Sequence, residues 1–113
     1  MSCRYLPDWA WLQVLGFFNG ECAYCGKSNE PLTADHLVPK SAGGADAPEN
    51  IVPACPHCNE AKADQDWREF LMNSENFSQS RMNRIFDWRR IARQARVGKK
   101  HFLDREEQEN TSA

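Results

Sequence analysis

The sequence predicts a small α+β fold in which two short strands and a helix close around a four-cysteine metal clamp, flanked by an N-terminal and a C-terminal helical segment. Three observations carry this. The cysteines Cys22, Cys25, Cys55 and Cys58 form two C-x-x-C pairs separated by a loop, the spacing by which one tetrahedral ion is held. Between the pairs lie two short apolar runs bounded by Gly and Pro, which is a strand signature. Outside them, apolar residues recur at helical spacing. At 113 residues the chain is sized for one domain, near the lower end of what a hydrophobic core alone stabilises well, and a structural metal is a common remedy there.

Each element follows in order. Pro7-Asp8 is a helix start with Asp8 as N-cap; Trp11, Leu12, Leu15 and Phe18 follow at helical spacing, and Asn19-Gly20 ends the run. Trp9 and Trp11 are expected to pack rather than to stack on bases. Leu32 to Val38 is a strand stopped by Pro39, Ser41 to Pro48 a loop, and Asn50-Ile51-Val52 a second strand stopped by Pro53. The second cysteine turn opens a helix near Asn59. Asp66, three residues before Glu69, reads as a capping box for a further helix bearing Trp67, Phe70 and Leu71. The last helix is expected over about 81–97. Ile85, Trp88, Ile91, Ala92 and Ala95 fall on one stripe, and Gly98 closes it before a polar tail.

Composition narrows the partners. The net charge is −2 and the pI near 5.9, which in bulk argues against a polyanion. The distribution argues for one. Arg81, Arg84, Arg89, Arg90, Arg93, Arg96, Lys99 and Lys100 share a segment in which Asp87 is the only acid, and a local basic face is the footprint that matters for nucleic acid. No secretory segment or membrane-spanning run is legible, so a cytoplasmic protein with reduced, metal-bound cysteines is expected. Cys3 is left as a free thiol without a role.

Read together, C-x-x-C-G from Cys22, D-H-x-x-P-K from Asp35, the Gly43-Gly44 loop, Asn50-Ile51-Val52 and C-x-x-C-N-x-x-K ending at Lys62 resemble the HNH endonucleases of the ββα-metal (His-Me finger) superfamily, in the variant with a four-cysteine zinc site. The resemblance covers about 21–63. Chain length and helical patterning make this one domain over 1–113, with a helical extension over 1–20, a basic helical extension over 64–100 and a tail over 101–113. The resemblance implies a metal-dependent DNA endonuclease that nicks one strand per active site, as a monomer or weak homodimer; the basic helix carries no base-reading code, so weak sequence preference is expected.

The implied roles are these. Cys22, Cys25, Cys55 and Cys58 hold structural Zn²⁺. Asp35 and Asn59 hold a catalytic Mg²⁺ or Mn²⁺, a choice suited to hard oxygen donors. His36 is the general base, and Asn50 holds the loop backbone that orients it. Adjacent residues on a strand point to opposite faces, so Asp35 and His36 serve one site only by approaching it from different edges. Some relatives carry histidines at the Asn59 position and one turn later; here that later position is Ala63, which disfavours zinc or nickel as the catalytic ion. Lys62 is placed to touch substrate phosphate from an exposed helix face, and Arg89, Arg90, Arg93 and Arg96 to contact the DNA backbone. Two other readings stay open from the residues alone: a zinc module that binds DNA without cutting it, and a rubredoxin-like four-cysteine electron carrier.

Overall fold

The computed structural model describes residues 3–112, with side chains through residue 95. Strands β1 (Thr33–His36) and β2 (Ile51–Ala54) form an antiparallel pair, with Asp35 opposite Val52 and His36 opposite Ile51. Helix α1 (Asp8–Phe17) precedes the pair; α2 (Pro56–Lys62), α3 (Trp67–Met72) and α4 (Gln79–Ser112) follow it. Strand, loop, strand and helix thus occur in the predicted order.

Several boundaries differ from the expectation, each for a local reason. The cap of α1 is Pro7, not Asp8; Asp8 instead lies in the first turn, where its charge suits the positive end of the helix. That helix buries Ala10, Trp11 and Val14, while Trp9 and Leu12 are about 60% exposed. Residues 11 and 12 lie 100° apart around a helix, so one stripe cannot centre on both; Trp11 and Phe18 take the core. Pro53 does not end β2. Its carbonyl points outward to the Ala23 N–H at 2.9 Å, and the nitrogen of the same residue faces the same way, so no bond to β1 is lost. Gly98 does not close α4; one glycine costs about 1 kcal/mol in a helix, and Ala95, Arg96, Lys99 and Lys100 nearby are good helix formers. In α4, Met82, Ile85, Trp88 and Ala92 are buried, whereas Ile91 and Ala95 are exposed.

Trp88 joins the layers. Its indole N–H lies 2.9 Å from the Pro48 carbonyl and 3.0 Å from that of Ile51, and its ring meets Phe17 and Phe18 at 5.2 and 6.3 Å. It therefore pins α4 onto α1 and onto the entry to β2. All four residues of β2 are buried, with Trp11, Val14, Phe18, Leu37, Trp67, Leu71 and Ile85 in the same core. At about 1.5–3 kcal/mol for each large apolar side chain withdrawn from water, this core supplies the rigid base on which the polar site stands.

Candidate active site

The four thiols converge. All their sulfurs lie within 4.8 Å of one another, and Cys25 and Cys55 are 3.7 Å apart. A tetrahedral ion with bonds of about 2.3 Å sets its sulfurs about 3.8 Å apart, so the cluster fits zinc. The first turn is closed by Gly26 at φ 82°, which donates to the Cys22 carbonyl at 2.9 Å. The second is the first turn of α2, where the Cys55 sulfur caps the Cys58 N–H at 3.4 Å. Without a cation the crowd resists ionisation. Burial pushes the Cys22 and Cys58 thiols up, and neighbouring thiolate charge adds to it. At Cys55 burial acts the same way, but hydrogen bonds from Cys58 and the other thiols outweigh it and bring it down. A bound metal reverses this balance by favouring every thiolate.

Next to the clamp, β1 and α2 frame a cleft of about 340 Å³ lined by Tyr5, Ala34, Asp35, His36, Pro39, Lys40, Ser41, Asn59, Ala63 and Asp64. It brings together Asp35, His36 and Asn59. The two strand neighbours do approach from different sides. The His36 Nε2 lies 2.8 Å from Asp46 Oδ1, and its ring packs edge-on against Tyr5 at 4.5 Å. Against an ionised Asp46 the Nε2 of a neutral His36 is the donor, and that tautomer carries its lone pair on Nδ1. The His36 bond, then Lys40 at 3.4 Å, hold the Asp46 carboxyl below its ordinary range.

Asp35 points the other way and is 4% exposed. Its Oδ2 accepts from the Tyr24 hydroxyl at 2.6 Å and its Oδ1 from the Lys62 ammonium at 3.4 Å. Burial raises its pKa, and the Lys62 charge and the Tyr24 bond only partly offset that. Tyr24 itself is driven well above its usual range, by burial first and by the Asp35 charge second. Asn59 donates through Nδ2 to Thr33 Oγ1 at 2.7 Å, which leaves its Oδ1 as a free acceptor. A carboxylate, an amide oxygen and the small Ala63 methyl make a hard-oxygen donor set with room for water, so the residues present fit Mg²⁺ or Mn²⁺.

Asn50 lies outside this cleft. Buried in the β1–β2 loop, it accepts from the Val38 N–H and donates to the Val38 and Ala45 carbonyls, all at 3.0 Å. Gly44 is packed so closely there that a Cβ would sit 1.7 Å from the Val38 carbonyl oxygen.

Two expectations for the basic residues change. Lys62 is not on an exposed face: its side chain is 1% exposed and its ammonium also donates to the His36 carbonyl at 2.8 Å, so it does not reach substrate phosphate. The basic stretch of α4 also divides. Arg81 donates to the Cys25 carbonyl at 3.2 Å, and Arg84 pairs with Glu21 at 3.2 Å; both brace the fold. Arg89, Arg90 and Arg93 line a second cleft of about 700 Å³ with Phe86, Gln94, Asn50 and the Gly43–Ala45 loop. The Arg96 side chain lies outside the described residues. Asp46, Tyr5, Tyr24 and Asp64 were not foreseen, because no spacing rule links them to the motif residues they meet.

Residues 22–65 match the HNH endonuclease family. The chain is 31% identical over 94 residues to the SPbeta prophage-derived YoqL of Bacillus subtilis, whose name assigns it to the HNH endonucleases; the match covers 74% of this chain and 41% of that protein. It is 38% identical over 58 residues to the type IV methyl-directed restriction enzyme EcoKMcrA of Escherichia coli, covering 44% of this chain and 20% of the enzyme. The chain thus spans less than half the length of either relative. No helix among the described residues is long and apolar enough to cross a membrane.

Proposed function

We propose that this chain, whose residues 22–65 match the HNH endonuclease family, is a metal-dependent DNA endonuclease that cuts one DNA strand at a time with weak sequence preference. The observation that carries this is the shared cleft of Asp35, His36 and Asn59, with His36 backed by Asp46. His36 takes a proton from water at Nδ1 while Nε2–H stays on Asp46, whose charge steadies the imidazolium as it forms. A divalent ion held by Asp35 and Asn59 supplies, when bound, Lewis-acid stabilisation of charge on the phosphoryl group and the leaving oxygen. Lys40, exposed at the rim beside Asp46, adds positive charge where a phosphate enters. Asn50 acts at one remove, by holding the loop that carries Asp46.

Arg89, Arg90 and Arg93, with Arg96 further along α4, contact the DNA backbone outside the cleft. Among the described residues, Arg89 and Arg93 make no ion pair, and Arg90 meets only Asp87 at 3.6 Å. Such contacts position without reading sequence. Replacing Arg89, Arg90 and Arg93 together by alanine in His36→Ala protein is expected to lower duplex affinity. The slope of log K against log salt should fall by about 2.7, at about 0.9 per phosphate contact. An unchanged slope removes these residues from the interface. In a plasmid time course, nicked circles are expected to accumulate before linear DNA. Linear product from the outset contradicts single-strand action.

A further inference from the structure

We propose that Tyr24 and Lys62 are positioning residues for Asp35, one from each arm of the four-cysteine clamp, and that Lys62 weakens the grip of the cleft on its divalent cation while fixing the carboxylate that meets it. The proposal rests on the reading of Asp35 as an ion ligand.

Tyr24 sits between Cys22 and Cys25 in the first metal turn. Lys62 is the last residue of α2, the helix opened by the second turn. Each therefore moves with one half of the clamp, and each ends on one oxygen of the same carboxylate. The Tyr24 hydroxyl reaches Oδ2 at 2.6 Å and the Lys62 ammonium reaches Oδ1 at 3.4 Å. Two donors on two oxygens fix the plane of the carboxylate as well as its place. Lys62 also holds the His36 carbonyl at 2.8 Å, so it anchors the backbone of the base together with the side chain of the ligand.

Burying a lysine is costly unless its charge is answered. Here its side chain is 1% exposed and Asp35 is the carboxylate that answers it. A phosphate-binding lysine belongs at a wet surface, and this one is buried against β1. The helix ends on the residue after it, where Ala63 takes φ 49° and ψ −124°, backbone space that an alanine occupies only at a cost. The chain thus bears strain at the point that fixes Lys62 over β1.

An ammonium beside a ligand oxygen repels any cation that oxygen binds. Removing it should strengthen cation binding and loosen the geometry, so that affinity and rate move in opposite directions. A merely structural residue would lower both.

The test is Mn²⁺ titration, by calorimetry or by the free-ion electron paramagnetic resonance signal, of zinc-loaded protein in the His36→Ala background, paired with plasmid-nicking kinetics in the wild-type background. Lys62→Met is expected to bind Mn²⁺ about ten-fold more tightly, the scale of change when a close like charge is removed, and to lose at least ten-fold in kcat with KM little changed. Lys62→Arg restores Mn²⁺ affinity to within about two-fold of wild type because it keeps the charge. Tyr24→Phe leaves Mn²⁺ affinity within about two-fold, since no charge is removed, and lowers kcat. The proposal is overturned if Lys62→Met leaves Mn²⁺ affinity unchanged and raises KM alone, which is the behaviour of a phosphate contact. It is also overturned if affinity and rate fall together while zinc is retained. Should Lys62→Met not fold, Lys62→Gln in its place and Tyr24→Phe decide by the same criteria. Asp35→Ala separates the two levels: Mn²⁺ binding that survives it refutes Asp35 as ligand, whatever Lys62 does.

Discussion

Asn50→Ala should cost about 3 kcal/mol of stability and most of the nicking activity, although Asn50 does not line the catalytic cleft. Its side chain makes three hydrogen bonds, to the Val38 N–H, the Val38 carbonyl and the Ala45 carbonyl, each at 3.0 Å. At a net of about 1 kcal/mol each, with a spread of half that, their loss sums to roughly 1.5–4.5 kcal/mol. Because Asn50 is 6% exposed, water does not readily replace them. Against a total of about 5–15 kcal/mol for a domain, this is a large fraction. The loop so released carries Asp46, so His36 loses its partner as well. The assay is urea unfolding of zinc-loaded protein followed by tryptophan fluorescence. The midpoint is expected to drop with the slope unchanged. Asn50→Asp should be at least as damaging, because it keeps the acceptor for Val38 but turns a carboxylate toward two carbonyls. A loss below about 0.5 kcal/mol for Asn50→Ala, or an Asn50→Asp protein as stable as wild type, would refute the reasoning.

Removing zinc with a strong chelator is expected to unfold the chain, because metal-binding energy in a domain of this size is folding energy; an unchanged circular dichroism spectrum after complete zinc loss contradicts this. Ala63→Gly should stabilise by about 1 kcal/mol by relieving the φ 49° backbone, read as a rise of a few degrees in Tm. A fall in Tm would locate the strain elsewhere. The contacts of Asp46 lower its pKa from 3.8, so their stabilisation is complete above that value and is lost as pH falls through the lowered one. Asp46→Asn should therefore flatten the acid limb of stability below about pH 4. An acid limb as steep as that of the wild type would assign it to another group.

Much of the fold was legible because its punctuation is chemical. Two C-x-x-C pairs, Gly26, Pro39 and the Asp66 cap each impose one local geometry, and Asp66 does cap α3 through the Arg68 N–H at 3.0 Å. The face of α1 was not legible, since Trp11 and Leu12 compete for one stripe, and Trp11 takes the core together with Val14 and Phe18 in packing against segments far away in sequence. Helix α4 runs on through Gly98 because the cost of one glycine is outweighed by the helix formers around it. In the candidate site, residue types and their order pointed to Asp35, His36 and Asn59. Their partners did not follow, because Asp46 lies in a loop whose path is set by Asn50 and Gly44 rather than by spacing. Lys62 shows the limit most clearly. Its motif position was visible, but its burial depends on how α2 lies over β1.

The measurement that tests the central claim most directly is supercoiled-plasmid cleavage by zinc-loaded wild-type and His36→Ala proteins, each with Mg²⁺, with Mn²⁺ and after removal of free divalent ions. Nicking by the wild type that needs the divalent ion and disappears in His36→Ala is the predicted result. Equal cleavage by both proteins, or none by a folded wild type with either ion, contradicts it.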